Sequence, residues 1–199
     1  MSSLNEKANE IISIITELSA VKSCKMYGSL STNTYDELSD IDIEVDVSGY
    51  DNGKFMLEVV DMLKGKLPIY YSDYAPSLIP EKYIVSIAID EDNPFLIIDI
   101  SCCANPHCTL VTKANVIERN SKYTHVLKLW TANLKHFVRG LDCYQDIARM
   151  AKKIRIDGVE RKDEIELLEE ALCWLEKNCE EKLICFVDSC RRMFEELVN

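Results

Sequence analysis

Residues 26–47 read MYGSLSTNTYDELSDIDIEVDV, and they set the frame for the rest of the chain. The strict alternation from Ile41 to Val47 predicts a strand. Side chains on a strand point to opposite faces by turns, so Ile41, Ile43, Val45 and Val47 share the face that must be the core side. Asp40, Asp42, Glu44 and Asp46 fall on the other. Four carboxylates in a row repel one another, least at the strand end, where water or a cation reaches them. Upstream, a short strand over 21–27 ends at Gly28-Ser29, ten residues before Asp40. A glycine there lets the backbone approach a phosphate closely, and Ser29 can donate to a phosphate oxygen at a following helix start.

Two carboxylates one alternation apart can chelate Mg²⁺, which takes oxygen ligands and leaves positions open for phosphate. A third acid, Asp99, sits inside the apolar run FLIIDIS (95–101). A lone buried carboxylate costs several kcal/mol unless it is paired or metal-bound. Either that strand meets water at an edge, or Asp99 faces the other acids across the sheet. In the second case it is placed to bind metal or to act as general base on an attacking hydroxyl.

Gly28-Ser29, the Asp40-Ile41-Asp42 triplet and the later Asp99 together resemble the signature of the DNA polymerase β-type nucleotidyltransferase superfamily, tightly over 26–46 and loosely over about 20–102. The resemblance implies metal ligands at Asp40, Asp42 and Asp99, and nucleotide-phosphate contacts at Gly28 and Ser29. With a helical half behind the sheet, the chain is similar to the small-molecule branch, which includes aminoglycoside, lincosamide and minimal nucleotidyltransferases. That branch implies two Mg²⁺ ions, a nucleoside triphosphate substrate, attack of an acceptor hydroxyl on the α-phosphate, and release of pyrophosphate. It also implies a homodimer with a site at the subunit interface. Many relatives carry GSRARG at this place. Here the positions after Gly28-Ser29 hold Leu30, Ser31, Thr32 and Asn33, so Lys25, Lys54, Arg119 or Arg139 must supply the cationic grip on the triphosphate.

The flanks fit an α+β chain: a nucleotidyltransferase-fold mixed β-sheet domain over 1–110, then a C-terminal α-helical bundle over 111–199. Residues 4–19 read as an amphipathic helix that Ser2 or Ser3 can cap. Residues 48–53 read as a turn leading to a helix with Phe55, Val59, Met62 and Leu63 on one face. IYYSDY (69–74) reads as a strand, and KYIVSIAID (82–90) with FLIIDIS (95–101) as a β-hairpin. Beyond about 114 only helical periods remain, in runs led by Tyr123, Tyr144, Ile165 and Leu183. Gly140 and Gly158 are read as helix breaks.

Charge separates the two halves. Residues 1–110 hold seven lysines, no arginine and 18 acidic residues, whereas residues 111–199 are balanced; the whole chain carries −11. The acidic half suits a cationic partner such as an amino sugar and argues against a nucleic-acid primer. No run reaches the ~18 apolar residues of a membrane span. Glu6, Glu10 and Glu17 interrupt the first apolar stretch, so no signal peptide is read and a cytoplasmic location is expected. The nine cysteines are expected to be reduced. The Cys102-Cys103…His107-Cys108 group lacks the spacing of a zinc site and reads as small packed side chains.

The expected activity is therefore transfer of a nucleoside monophosphate, AMP from ATP, to a hydroxyl of a small cationic acceptor such as an aminoglycoside or a lincosamide. A minimal nucleotidyltransferase modifying a toxin-like partner protein and a non-catalytic nucleotide-binding module are the rival readings. Asp142 and Asp146, one turn apart, read as a solvated face before an amino-sugar contact. Trp130 and Trp174 read as core anchors.

Overall fold

Five strands form one mixed sheet, and the alternation that opens at Ile41 lies near its centre. In the computed structural model, which describes residues 4–76, 82–106 and 111–198, the strands are β1 (Ser23–Met26), β2 (Ile41–Asp46), β3 (Tyr71–Pro76), β4 (Lys82–Ala88) and β5 (Ile97–Cys103). Their order is β1-β2-β5-β4-β3. β2 and β5 pair in parallel, and every other pairing is antiparallel. β4 and β5 form the expected hairpin, with Ala88 opposite Ile97. The chain is thus α+β, a mixed sheet with a C-terminal helical part.

One face of the sheet is the core. Ile41, Ile43, Val45, Val85, Ile87, Ile98, Ile100 and Cys102 are fully buried there. Helices α1 (Leu4–Thr16) and α3 (Asn52–Leu63) cover this face with Ala8, Ile11, Ile15, Phe55, Met56, Val59 and Leu63; Met62, expected on that face, is exposed, and Met56 packs there instead. Helix α1 stops at Thr16, three residues short of the expected end, and the Thr16 hydroxyl donates to the Ile12 carbonyl at 2.7 Å. Its proposed caps Ser2 and Ser3 lie outside the described residues. Helix α3 starts inside the stretch read as a turn, because the Asp51 side chain accepts from Lys54 N at 2.8 Å and caps it.

The sequence shows a helix start at Gly28-Ser29 but not the extent of the short helix there, α2 (Gly28–Thr32), and it does not show α4 (Lys113–Ile117). Neither has a full amphipathic period to reveal it. Helix α4 carries a reciprocal cap between Thr112 and Asn115.

The remaining helices are α5 (Lys122–Val138), α6 (Tyr144–Lys153), α7 (Glu164–Asn178) and α8 (Ile184–Val198). Asp163 and Glu166 form the capping box of α7. Helix α5 gives way before Gly140 at φ +69°, as expected. Helix α6 ends at Lys153, well before Gly158; the left-handed residue that follows it is Arg155 at φ +62°. Trp130 is wholly buried, and its indole N–H donates to the Leu168 carbonyl at 2.9 Å, tying α5 to α7. Arg191 ties α8 to α7 through Glu169 and Glu176 at 2.6 and 2.7 Å.

The chain forms two compact units. One is Met1–Asp90 with Leu96–Asn120, the other Glu91–Phe95 with Ser121–Asn199. Helix α4 therefore goes with the sheet, although it lies beyond residue 110, and the tip of the β4–β5 hairpin goes with the helices. No described helix is long and apolar enough to cross a membrane.

Candidate active site

The face of the sheet opposite the core carries the acids. On β2 the burial alternates residue by residue, with Asp42, Glu44 and Asp46 half-buried between fully buried neighbours. The parallel register places Asp42 directly beside Asp99, Glu44 beside Ser101 and Asp46 beside Cys103. Asp99 thus lies across the sheet from Asp42, the second of the two settings the sequence allows. Residues 36–39 form a tight turn before Asp40, in which Asp36 Oδ1 accepts from Leu38 N at 3.1 Å and from the Ser39 hydroxyl at 2.8 Å. Asp40 follows that turn and is half-buried.

Gly28 stands against Asp42. Its φ is +67°, and a Cβ built on it would overlap Asp42 Oδ2. Both facts require glycine here. Tyr27 N donates to the Asp42 carbonyl at 3.0 Å, which fixes the approach of the Gly28-Ser29 corner to the strand. Ser29 sits in the first turn of α2, half-buried, and its carbonyl accepts from Thr34 N at 3.0 Å.

Glu44 is held by two lysines: Lys25 at 2.8 Å and Lys82 at 3.1 Å. Hydrogen bonds from these ammonium groups, Lys25 first, lower its pKa against the opposing effect of partial burial. Lys82 also lies over the Tyr27 ring, 5.4 Å from its centre. The Tyr27 hydroxyl and Ser101 Oγ are 3.0 Å apart. Burial raises the Tyr27 pKa; the bond with Ser101 opposes this, and the charges of Asp42, Asp99 and Glu44 add to it. A phenol that feels three carboxylates at once marks this face as a region of negative potential, which favours a cation.

The structure brings some candidates together and not others. Asp42, Asp99 and Gly28 converge. Among the described residues, no three His, Cys, Asp or Glu side chains are gathered as a ready metal cage. Mg²⁺ needs no such cage: it is held by one or two carboxylates, with waters and substrate phosphates completing its octahedron. The donor set of Asp42 and Asp99, acceptor-only oxygens on adjacent strands, fits that ion, with Asp40 one alternation away. Of the basic residues named from sequence, Lys25 stands on this face. Lys54 belongs to α3 on the core side, pairs with Glu58 at 3.9 Å and lies over Tyr50. Arg119 acts electrostatically on Asp61 and Tyr74.

Sequence reasoning missed five residues of this face. Lys82, Ser86 and Ala88 share it on β4, and a polar serine inside the apolar run 82–90 was the available signal for Ser86. Ser101 follows Asp99 by one alternation. Asp73, 1% exposed, pairs in register with Ser86, so a third acid joins Asp42 and Asp99 in the same cross-strand row.

The other candidates resolve as packing or solvated faces. Cys102 is buried in the core and Cys103 points to the opposite side, as adjacent strand residues must. Their suggested companions His107 and Cys108 lie outside the described residues. Asp146 pairs with Arg149 on its own helix at 2.8 Å. Trp174, expected as a core anchor like Trp130, is only half-buried; it stacks on Tyr123 at 5.7 Å, with Lys122 over its ring.

No family model matches the chain, and no curated protein matches it. Twelve chains of solved structures do. One, from the polymerase core of TRAMP, an RNA surveillance complex, aligns with a TM-score of 0.42 and 15% identity over 87% of this chain. The chain spans 58% of that one's length. A likeness of this degree leaves the case to the chain's own residues.

Proposed function

We propose that this chain is a metal-dependent nucleotidyltransferase, moving AMP from ATP to a hydroxyl of a small cationic acceptor such as an aminoglycoside or a lincosamide. The observation that carries the reading is the register of Asp42 with Asp99, beside a glycine corner that only a residue without Cβ can occupy.

Asp40 and Asp42 are the proposed Mg²⁺ ligands, and Asp99 either completes the set or serves as base. Two Mg²⁺ ions, when bound, supply charge neutralisation for the triphosphate and for the charge that develops as it is cleaved. The Gly28 corner leaves room for the triphosphate backbone, and Ser29 offers a hydroxyl donor. Lys25 and Lys82 take the place of the arginines absent after Ser29, each able to exchange its hold on Glu44 for a phosphate oxygen. The acceptor hydroxyl forms a bond to the α-phosphorus, the bond to the β-phosphate oxygen breaks, pyrophosphate leaves, and the hydroxyl proton passes to the Asp99 carboxylate. Catalysis is then positioning and charge neutralisation. The −11 charge of residues 1–110 supports a cationic acceptor.

Calorimetric titration of ATP, GTP, CTP and UTP, with and without Mg²⁺, on the natural chain and on Asp42→Asn tests this reading. Metal-dependent binding of one triphosphate, abolished by the substitution, is expected, followed by pyrophosphate release when the right acceptor is added. Binding that ignores both metal and Asp42 would favour the non-catalytic nucleotide-binding module. Activity only with a tightly bound toxin-like protein would favour the minimal, protein-modifying type.

A further inference from the structure

Asp73, Ser86, Asp99 and Asp42 are successive cross-strand partners on β3, β4, β5 and β2. Ser86 is 1% exposed, and its hydroxyl donates to Asp99 Oδ1 at 2.5 Å. That separation belongs to the short, charge-assisted class of O–H···O⁻ bonds, roughly twice as strong as neutral ones. A hydroxyl buried in an otherwise apolar strand destabilises it unless bonded, and here its bond goes to the one acid that the parallel register sets beside Asp42.

We propose that Ser86 is a positioning residue for the divalent-cation site, orienting the Asp99 carboxylate so that it serves beside Asp42. The inference rests on the nucleotidyltransferase reading and adds to it a residue with no chemistry of its own. The sheet order puts Ser86 and Asp42 on opposite sides of Asp99. An aspartate carboxylate turns freely about its last torsion, whose well is broad. A bond to Oδ1 from the β4 side removes that freedom and leaves Oδ2 outside the bond, available to a cation. The hydroxyl dipole also offsets part of the repulsion between two carboxylates in register. Groups that orient a ligand carboxylate in this way typically govern metal affinity by 10- to 100-fold.

The test measures ATP affinity by calorimetry in excess Mn²⁺ and again in EDTA, and reads the ratio of the two. The ratio should fall by roughly 10-fold or more in Ser86→Ala. It should fall less in Ser86→Cys, which is close in shape and keeps a weak donor. In an Asp99→Ala background, Ser86→Ala should change nothing further, because its effect passes through Asp99. Thermal melts of each variant separate this effect from unfolding, and Ser86→Cys carries the test if the alanine variant does not fold. A ratio unchanged in both serine variants overturns the inference while leaving the function standing. An equal loss with and without Asp99 also overturns it. If the natural chain itself shows no metal enhancement, the nucleotidyltransferase reading fails first and takes this inference with it.

Discussion

The backbone of Gly28 packs against the side chain of Asp42 so closely that a Cβ on residue 28 would overlap Asp42 Oδ2. A corner twelve residues upstream of the Asp40-Ile41-Asp42 triplet is thus built onto its second acid. The glycine therefore does more than turn the chain: its missing side chain is the space the carboxylate occupies.

Gly28→Ala tests this directly. The substitution places a side chain at φ +67° and into the Asp42 carboxylate. The left-handed conformation alone costs about 1–2 kcal/mol. Thermal melting should show that loss, and metal-dependent nucleotide binding should drop further than stability does. Binding unchanged from the natural chain would mean that Asp42 has no part in the site.

Asp42→Asn and Asp99→Asn each keep the shape and remove a charge. Pyrophosphate release should fall by at least ~10²-fold for either, the scale on which single preorganised electrostatic groups act. The Asp42→Asn melting temperature should stay level or rise, because it removes one of two carboxylates held side by side, whereas Asp99→Asn also weakens the bond from Ser86. A pair of variants with normal turnover rules out the assigned site.

Glu44 gives a pH signature. Its pKa lies below the ordinary value of 4.5 because Lys25 and Lys82 bond its charged form. A depressed folded-state pKa contributes stability that is present above the unfolded pKa and lost as pH falls through the folded one. Urea midpoints of the natural chain and Glu44→Gln should therefore differ near neutral pH and converge as pH falls below the ordinary value of 4.5 and through the lowered folded-state one. A gap that persists into acid would assign the effect to packing.

The cysteines should divide by burial. Burial pushes the Cys102 and Cys190 thiols far above their ordinary range, and the Cys24 thiol up to about 11. Thiolate is the reactive form, so these should resist alkylation in the folded chain. Cys185 is exposed and should label before the other cysteines among the described residues. Peptide mass spectrometry of a brief alkylation reads the order.

Trp130→Ala should destabilise the helical unit by about 3–5 kcal/mol, through the lost side-chain volume and the Leu168 carbonyl left without its donor. Trp130→Phe should cost less, since it keeps most of the volume. Near-ultraviolet circular dichroism with urea titration measures both.

Much of this was legible in the chain itself. The alternation from Ile41 to Val47 determined a strand with an apolar and an acidic face, because the pleat sends successive side chains to opposite sides. The paired apolar runs around residues 91–94 determined the hairpin, and the three- and four-residue spacings beyond Tyr123 determined the long helices. These are local periodicities, and a local rule reads them. The acids Asp40, Asp42 and Asp99 and the corner at Gly28-Ser29 stood out for the same reason: each breaks or ends a regular pattern.

Only the tertiary structure decided which of these residues meet. The parallel pairing of β2 with β5 spans some fifty residues of intervening chain, and a shift of one residue would have turned Asp99 into the core. That register chose between an edge strand and a facing acid, a choice the run FLIIDIS leaves open. It also recruited Ser86, Lys82 and Asp73, whose strands read as ordinary in sequence because their partners lie on other strands. Periodicity reports the face on which a side chain lies; strand order and register report what stands beside it.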